Sequence, residues 1–322
     1  MTMLTNLIKK LKEDRKSIVF PEGTDSRILG AAAKIIDEDI MDVVLVGDED
    51  EVKAAAEAGG FDISAAKIIN PATYDKMDEL VEQMVALRKG KMTAEQCREA
   101  LQGGAYFGTM LVKAGEADAL LGGATYSTAD TVRPALQLIK TKPGYKSVSS
   151  CYIMVKEGAE MLCMGDPAIN IAPTAEELAE SAIEAAHTAE IFGIEPRVAM
   201  LSYSTLGSGH GEAVDKVREA VKIAKENAPD LALDGELQFD AAVSPEVAKT
   251  KCPDSPVAGK ANVFIFPEIQ SANICYKIAA RLGGYEAIGP IMQGLNAPIN
   301  DLSRGCVTEE VYKMAVVTAA LS

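Results

Sequence analysis

The alternation of short β-rich runs with longer helical stretches is the feature that most constrains the fold of this chain. In the amino-terminal part, the runs predicted as strands are Ser17–Phe20, Asp42–Val46, Lys67–Ile69 and Asp118–Leu121. The stretches predicted as helices between and after them are Ser26–Asp37, Glu49–Ala58, Asp75–Lys89 and Ala94–Leu101. Because strands joined by helices favour parallel pairing, this order predicts a mostly parallel sheet that is covered on both faces.

The pattern changes after residues 140–144, where two successive strands are predicted to form a hairpin. The elements expected beyond this point are strands at Ser147–Val155, Glu160–Met164, Arg197–Ser202 and Asn262–Phe266, and helices from a Thr174/Glu177 capping box to Phe192, at Gly211–Asn227 and at Gln270–Leu282. A chain of 322 residues is long for a single hydrophobic core. We therefore predict an α/β fold of two α/β/α domains with mostly parallel sheets and an interdomain cleft. Residues 1–145 with 291–322 are expected to form the first domain and residues 146–290 the second.

Composition excludes several classes of partner. The net charge of −15 would repel nucleic acids and anionic membrane surfaces. The amino-terminal apolar residues recur at helical spacing among charged ones, and no run reaches the ~18 apolar residues of a membrane helix, so a cytoplasmic protein is expected. The six cysteines form no Cys-x-x-Cys pair, and there are only two histidines. Reduced, buried thiols and no metal site are therefore expected.

The segment Gly289–Arg304 has the composition of a functional site. It contains two prolines and two glycines, which favour a single irregular backbone shape. Such a shape would direct the side chains of Asn300, Asp301, Ser303 and Arg304 toward one point. A helix is predicted immediately afterwards, with Thr308 as its N-cap and two glutamates in its first turn.

A first candidate anion-binding loop is Gly122–Thr128, which follows a predicted strand and precedes a helix. Its small residues would let an anion approach backbone N–H groups, and Ser127 or Thr128 would add a hydroxyl. Arg133 lies a turn and a half further along. The alternative interpretation is a glycine turn with an ordinary N-cap and a surface arginine.

A second candidate is Ser202–Gly211, again between a strand and a helix. It lacks both the Gly-Lys-Ser/Thr ending of a P-loop and the Gly-x-Gly-x-x-Gly spacing, which disfavours ATP and NAD. A phosphate-bearing ligand such as coenzyme A could still use its amides and Ser208. The alternative is a turn that needs glycine only for its backbone angles.

Two strands end in the same tripeptide, Phe-Pro-Glu, at Glu22 and at Glu268. Both glutamates would then lie at carboxyl ends of strands, where open α/β sheets bind ligands. A shared solution to the strand-to-helix turn explains the repetition equally well. Arg88, at the end of a predicted helix, is by composition a solvated residue that complements the helix dipole.

The run Asn-Asp-Leu-Ser-Arg-Gly-Cys at 300–306, preceded by Gly-Pro-Ile-Met-Gln-Gly, resembles the carboxyl-terminal signature of the phosphotransacetylase (phosphate acetyltransferase) family. Phe-Pro-Glu-Gly at 20–23, Gly-Gly-Ala at 122–124, Arg133-Pro134 and Ser-Thr-Leu-Gly-Ser-Gly at 204–209 also occur in the family's order. The resemblance covers nearly the whole chain. It implies reversible transfer of an acetyl group between acetyl phosphate and coenzyme A, with coenzyme A as a substrate, phosphate as a product, no tightly bound cofactor, and a homodimer.

The resemblance also implies roles for particular residues. The family's base is an aspartate seven residues after the serine of Ser-Arg-Gly, and Glu310 occupies that position here. Glu309 is a competing neighbour, and a first-turn carboxylate that complements the helix dipole is the structural alternative. The predicted catalytic residues are Ser303, Arg304 and Glu310, and the predicted substrate-binding residues are Arg133, Ser127, Thr128, Arg88, Asn300 and Ser208. An arginine fork suits phosphate, a hydroxyl can donate to an oxyanion, and a carboxylate can accept the thiol proton.

Cys306 adjoins the motif, but the sequence places no histidine base beside it. Direct transfer in a ternary complex is therefore preferred to a covalent acyl-enzyme, with Cys306 as a packing residue. Three alternatives remain: a phosphate butyryltransferase-like enzyme, a non-catalytic acetyl-CoA-binding regulatory module, and a decarboxylating dehydrogenase of related shape. The last is disfavoured because the nucleotide fingerprint is missing.

Overall fold

The computed structural model describes residues 3–322 as alternating helices and strands. The helices are α1 (Met3–Glu13), α2 (Ser26–Asp37), α3 (Glu49–Gly59), α4 (Met77–Arg88), α5 (Ala94–Ala100), α6 (Gly104–Lys113), α7 (Thr128–Pro134), α8 (Ala175–Ile191), α9 (Glu212–Asn227), α10 (Phe239–Val243), α11 (Pro245–Lys251), α12 (Ile269–Arg281) and α13 (Thr308–Ala320). The strands are β1 (Ser17–Phe20), β2 (Asp42–Val46), β3 (Lys67–Ile69), β4 (Ala119–Gly122), β5 (Ser149–Val155), β6 (Leu162–Gly165), β7 (Val198–Leu201), β8 (Leu233–Leu237), β9 (Val263–Ile265), β10 (Glu286–Gln293) and β11 (Ile299–Asp301). The predicted mixed α/β class with mostly parallel sheets is confirmed.

The chain divides into two compact units. One runs to Lys142 and resumes at Leu295–Ser322, and the other is Pro143–Gly294. The predicted elements recur with their ends displaced by at most two residues, and β1, α2, β2 and β3 have the predicted bounds. Both predicted capping boxes, which begin α5 and α8, are present. Sequence reasoning missed α6, α10, α11, β8, β10 and β11.

The sheet of the first unit has the strand order β11-β4-β1-β2-β3 among residues 3–322, and its pairings are parallel. Strands β1, β2 and β4 are short, mostly apolar runs, as expected for a parallel sheet buried on both faces, whereas β11 is Ile-Asn-Asp. In β1, for example, Ile18, Val19 and Phe20 are fully buried. Helix α13 packs against α1, α2 and β4, so the carboxyl terminus completes this unit's core.

The sheet of the second unit has the order β10-β5-β6-β9-β7-β8. The pairings β10–β5 and β5–β6 are antiparallel, which confirms the predicted hairpin, and the remaining pairings are parallel. Phe264, Leu237 and Met154 lie in its core together with residues of α10 and α11.

The segment Gly289–Arg304 is more regular than its prolines and glycines predicted. It begins inside β10 and later forms β11. Pro290 is accommodated because β10 is an edge strand whose register shifts between Ile288 and Ile291. An edge strand at a bulge is one of the few places where a sheet tolerates a residue with no N–H group.

Candidate active site

The chain reverses its direction of winding between β1 and β4 of the first unit. From β1 the chain proceeds to β2 and β3 on one side, whereas β4 and β11 lie on the other side. The loops that follow β1 and β4 therefore leave the sheet in opposite directions and open a crevice at its carboxyl edge. Ligands of open α/β sheets bind at such a point.

The amides of the loop after β4 are occupied by a carboxylate of the protein itself. Glu22 is 7% exposed and accepts hydrogen bonds from the N–H groups of Gly123 (2.9 Å), Ala124 (3.0 Å), Thr125 and Tyr126 (3.0 Å). The Thr125 hydroxyl adds a further bond of 2.6 Å. The prediction that these amides are open to a substrate anion is therefore wrong, because Glu22 already satisfies them.

The hydroxyl groups at the start of α7 are also engaged within the protein. Ser127 is the N-cap of α7; its Oγ accepts from the Asp130 N–H (3.3 Å) and donates to the Asp130 carboxylate (2.6 Å). Thr128 lies against the carboxylate of Asp301. Burial raises the pKa of Asp301, and the Thr128 and Thr131 hydroxyls oppose that rise while Glu22 adds to it. Asp301 is 5% exposed, and its Oδ1 has no hydrogen-bond partner among residues 3–322.

Glycine is required at position 123 by its surroundings. Its φ of +101° disfavours any residue with a side chain, and a Cβ atom there would lie 2.3 Å from Oδ1 of Asp301 and 2.7 Å from the Leu302 nitrogen. The close approach lets the loop after β4 lie directly against the end of β11.

A tight turn follows β11 and presents the predicted catalytic side chains. The turn is closed by the Cys306 N–H, which donates to the Ser303 carbonyl at 2.9 Å. Ser303 and Arg304 are both exposed, and Oγ of Ser303 accepts from the Gly305 N–H at 3.3 Å. The hydroxyl hydrogen of Ser303 therefore remains available as a donor. Among residues 3–322, the guanidinium group of Arg304 has no hydrogen bond or ion pair.

Helix α13 begins at Thr308 with Val307 in the N-cap position, so the prediction of Thr308 as N-cap is wrong by one residue. Glu310 is exposed and accepts a hydrogen bond from the Val307 N–H at 3.0 Å, in the manner of half a capping box. Glu309 instead forms an ion pair of 2.9 Å with Lys34 of α2. The two neighbouring glutamates are thus distinguished, since Glu310 has no cationic partner among the residues that the structure describes.

Arg133 lies at a pocket of about 270 Å³ that is also lined by the start of α6 and by Tyr126. Helix α6 has no capping side chain at Gly103 and no acidic residue in its first turn. Its first amides are therefore not satisfied by a cap. Arg133 is exposed and makes no hydrogen bond or ion pair within the described part of the chain. The pocket thus combines a free guanidinium with an uncapped helix start.

Arg88 and Asn300 depart from what the sequence suggested. Arg88 is half-buried at the end of α4, and its Nε is buried without a hydrogen-bond partner among residues 3–322, so it is not a solvated helix end. Asn300 is 1% exposed, and its amide donates to the Thr318 hydroxyl at 2.9 Å between β11 and α13. The structure therefore does not bring Asn300 to the surface with Ser303 and Arg304.

In the second unit, the loop after β7 is again filled by a glutamate. Glu236 is 2% exposed and accepts from the Ser204 hydroxyl (2.7 Å) and the Gly207 N–H (2.9 Å). Arg218 of α9 donates to the same carboxylate at 3.0 Å and 3.3 Å. Ser208 is exposed, and its Oγ accepts from the Thr205 N–H at 2.9 Å. Here too the loop's polar groups serve the protein's own structure.

Comparison with known proteins assigns the family. The family model described as "Phosphate acetyl/butaryl transferase" matches residues 2–319. The chain belongs to this family. It is 56% identical to a phosphate acetyltransferase of Bacillus subtilis (strain 168), over 94% of each chain. The structure resembles a phosphotransacetylase from Streptococcus pyogenes with a TM-score of 0.97 and 52% identity, covering 99% of this chain and 97% of that one. It resembles the EutD phosphotransacetylase from Staphylococcus aureus with a TM-score of 0.94 and 50% identity, covering 99% and 98%.

In an acyltransferase, a cysteine beside the proposed catalytic turn is a candidate nucleophile, so the state of the Cys306 thiol matters. Burial raises the pKa of the Cys306 thiol, and the nearby Arg27 opposes the rise, while Glu310, Asp25 and Glu22 add to it. A thiol that is held protonated is a poor nucleophile. The six cysteines are free, and all but the half-buried Cys275 are buried.

Residues 3–322 contain no cluster that could hold a metal and no helix long and apolar enough to span a membrane.

Sequence reasoning missed the roles of Glu22, in the loop after β1, and of Arg27, in the first turn of α2. The Phe-Pro-Glu repetition pointed at Glu22, but it could not say that this carboxylate binds the loop after β4, whereas Glu268 caps its own helix α12 through the N–H groups of Gln270 and Ser271. No signal pointed at Arg27. It resembles any arginine in the first turn of a helix, and only the fold brings it to the Ser303–Cys306 turn.

Proposed function

We propose that this chain is a phosphate acetyltransferase that reversibly transfers an acetyl group between acetyl phosphate and coenzyme A. The observation that carries the proposal is the Ser303–Cys306 turn, which presents a hydroxyl and an unpaired guanidinium beside the first turn of α13. The relatives named above support the acetyl rather than the butyryl reaction, because they are named phosphate acetyltransferase or phosphotransacetylase.

The proposed mechanism is direct transfer within a ternary complex. The coenzyme A sulfur attacks the carbonyl carbon of acetyl phosphate, so that a C–S bond forms and the C–O bond to phosphate breaks. The thiol proton passes to the Glu310 carboxylate, and phosphate leaves with the bonding electron pair. The Ser303 hydroxyl donates to the carbonyl oxygen as negative charge develops there, and Arg304 stabilises the phosphate oxygens.

A carboxylate and a thiol are ordinarily poorly matched as a base and an acid. In model peptides a glutamic acid side chain has a pKa of about 4.3 and a cysteine thiol one of about 8.5. A cation close to the sulfur would lower the thiol pKa and reduce this difference. The exposed guanidinium of Arg304 can serve that purpose, since no carboxylate of residues 3–322 pairs with it.

The geometry supports some of the predicted substrate-binding residues better than others. Arg133 and Arg88 are retained as anion-binding residues, because one faces a pocket without a partner and the other holds a buried, unpaired Nε. Ser127 and Thr128 are assigned to shaping the loop rather than to binding phosphate, and Asn300 to packing. Ser208 is retained as a candidate for coenzyme A, because its hydroxyl hydrogen is still available in an exposed loop.

The proposal includes a cytoplasmic homodimer that needs no tightly bound cofactor. Helix α12 carries an exposed apolar stripe formed by Ile274 (56% exposed), Ile278 (51%) and, just beyond its end, Leu282 (85%). Exposed apolar patches of this kind are common at protein interfaces, and a second copy of the chain is the proposed occupant. Light scattering should give a dimeric mass for the wild type and a lower mass for Ile278→Glu.

The activity is tested by measuring coenzyme A-dependent release of phosphate from acetyl phosphate. Release that requires coenzyme A, and that is faster than with butyryl phosphate, would support the acetyl assignment. Faster turnover of butyryl phosphate would favour the butyryltransferase-like alternative. Binding of acetyl-CoA by calorimetry with no turnover of either acyl phosphate would instead support a regulatory module.

Direct transfer is tested by mixing the enzyme with acetyl phosphate in the absence of coenzyme A. Intact-mass spectrometry should show no acetyl adduct, and Cys306→Ala should keep most of the activity, because Cys306 is a packing residue in this mechanism. A stoichiometric acetyl adduct on a cysteine would contradict direct transfer.

A further inference from the structure

We propose that Arg27 is a positioning residue that holds the Ser303–Cys306 turn in its catalytic shape. This inference rests on the proposed acetyl transfer, because it assigns Arg27 an effect on the side chains of that turn. Arg27 lies in the first turn of α2 and its side chain is 25% exposed.

All five N–H donors of Arg27 are directed at acceptors of the protein. Its Nε donates to Oδ1 of Asp25 (3.0 Å), and Nη2 donates to Oδ2 of Asp25 (2.8 Å) and to the Ala124 carbonyl (2.7 Å). Its Nη1 donates to the carbonyls of Arg304 (2.8 Å) and Cys306 (3.3 Å). An arginine has five such hydrogens in a rigid planar fork, so Arg27 has no donor left for a substrate.

These bonds join three segments that are far apart in the sequence. Asp25 belongs to the loop after β1, Ala124 to the loop after β4, and Arg304 and Cys306 to the turn after β11. Ala124 is held from both sides, since its N–H donates to Glu22 and its carbonyl accepts from Arg27. The guanidinium of Arg27 is thus a rigid connection between the sheet's switch point and the turn.

The turn needs such a connection because little else restrains it. Positions 303–305 are exposed, position 305 is glycine, and the internal bonds of the turn are the one from Cys306 to Ser303 and the weaker one from Gly305. Reacting groups must be placed within a fraction of an ångström, and a displacement of ~1 Å can reduce the rate about 10²-fold. Fixing the carbonyl of Arg304 fixes the direction in which its side chain leaves the backbone.

Asp25 is the residue that orients Arg27. Burial raises the pKa of Asp25, but the hydrogen bonds and charge of Arg27 outweigh that effect and leave the pKa below its usual value. The pair therefore stays ionised, and its two parallel bonds set the plane of the guanidinium. An ammonium group cannot reproduce this arrangement, because it lacks the planar fork.

The test compares steady-state kinetics of the wild type with Arg27→Ala and Arg27→Lys. We expect kcat to fall about 10- to 100-fold in Arg27→Ala, while the KM values for acetyl phosphate and coenzyme A change by less than about threefold. Arg27→Lys should remain similarly impaired. Adding guanidinium at a low, non-denaturing concentration should restore part of kcat in Arg27→Ala but not in Arg27→Lys, where the lysine side chain occupies the site.

Arg15→Ala provides a matched control. Arg15 pairs with Asp39 and Asp42 at 2.7 Å each, but it lies before β1, at the opposite edge of the sheet. Its removal should leave kcat within about twofold of the wild type, and guanidinium should have no effect on that variant. Asp25→Asn is a second variant, milder than Arg27→Ala, that should lower kcat without any response to guanidinium.

The outcomes separate this inference from the proposed function. If the wild type shows no coenzyme A-dependent turnover, the proposed function fails before Arg27 is tested. If the wild type is active and Arg27→Ala retains its kcat, the positioning role is wrong. A large rise in KM at unchanged kcat would make Arg27 a substrate ligand and also overturn the inference. If Arg27→Ala does not fold, an unchanged kcat in Asp25→Asn and in Arg27→Lys would contradict it.

Discussion

The loops after β4 and after β7 offer a direct comparison between the two units. Both follow a buried strand, both precede a helix, and in both a buried glutamate from elsewhere in the unit accepts hydrogen bonds from the loop. Glu22 accepts from four N–H groups of its loop, whereas Glu236 accepts from the Gly207 N–H and the Ser204 hydroxyl. The two loops differ in whether the nearby arginines are paired with a carboxylate of the protein. In the second unit, Arg218 binds the same carboxylate as the loop does, so its charge is neutralised internally. In the first unit, Glu22 is held by amides and one hydroxyl, and the guanidinium groups of Arg304 and Arg133 make no ion pair within residues 3–322.

This difference shows that a glycine-rich loop after a strand does not by itself identify an anion site. Backbone amides in a buried loop need acceptors, and a glutamate of the same chain can supply them as well as a phosphate can. An arginine without an ion pair is a better indicator of an anion site than such a loop is. In a chain with a net charge of −15, an arginine that makes no ion pair within the protein is available to a substrate anion.

The largest effect is expected at Glu310, next to the unpaired Arg304. Glu310→Gln should lower kcat about 10²- to 10⁴-fold, because loss of a general base has effects of that size. Glutamine can still accept the bond from the Val307 N–H, so the melting temperature should change little. Glu309→Gln is the matched control, since it removes only the surface pair with Lys34. Near-wild-type turnover of a folded Glu310→Gln enzyme would remove this residue from the mechanism.

Replacing an unpaired arginine of the first unit and the paired Arg218 of the second unit by alanine tests the comparison further. Arg304→Ala should lower kcat about 10²- to 10³-fold, because the charge on the reacting groups loses a cation. Stability should change little, since the Arg304 guanidinium makes no hydrogen bond or ion pair within residues 3–322. Arg218→Ala should instead lower stability and leave kcat nearly unchanged. It removes two hydrogen bonds to the buried Glu236 carboxylate, and we expect the free energy of unfolding to fall by about 1–3 kcal/mol. Denaturant titration and initial rates measure both quantities, and similar results for the two variants would refute the distinction.

Arg133→Ala tests the pocket that is formed with the start of α6. Charge-assisted contacts contribute about 1.5–3 kcal/mol, so the KM for acetyl phosphate and the inhibition constant for phosphate should rise roughly 10- to 100-fold. The KM for coenzyme A should change much less. If the coenzyme A value rises instead, this pocket binds a phosphate of coenzyme A rather than the acyl phosphate.

The smallest effects concern stability as a function of pH, and they should have opposite signs in the two units. Burial raises the pKa of Glu236, but Arg218, Gly207 and Ser204 outweigh it and leave the pKa lowered. Its stabilising effect is therefore present above the unfolded value of about 4.3 and is lost as the pH falls through the lower folded value. The pKa of Asp301 is raised by burial, so ionisation of Asp301 destabilises the fold once the pH exceeds its unfolded value of about 3.9.

Substitution by the corresponding amides tests these signs. Near neutral pH, Glu236→Gln should lower the melting temperature, whereas Asp301→Asn should leave it unchanged or raise it. In acid, below the unfolded pKa values, both differences should shrink. A loss of stability in Asp301→Asn equal to that in Glu236→Gln would mean that the folded state stabilises the ionised Asp301 carboxylate, and would contradict the raised pKa.

Much of the fold was readable from local patterns. Strands such as β1 and β2 are uninterrupted apolar runs between helical stretches, and the caps at Thr93 and Thr174 rest on residues only three apart. Such features are determined by neighbours in the sequence, and so the sequence reveals them. The sequence did not predict β10 and β11. For β10 the reason is that Pro290 can either end a strand or lie at an edge bulge, and which of these occurs depends on the neighbouring strand.

The family, the mixed α/β class and the candidate residues Ser303, Arg304 and Glu310 could all be predicted from the sequence. Which charged groups have partners depends instead on the tertiary structure. Glu22 fills the amides of a loop about a hundred residues away, Arg27 reaches the turn after β11, and Glu309 is separated from Glu310 by the position of Lys34. Hydrogen bonds and ion pairs act over about 3 Å in space, whatever the separation along the chain. Their partners therefore follow from the arrangement of the strands and cannot be derived from local sequence patterns.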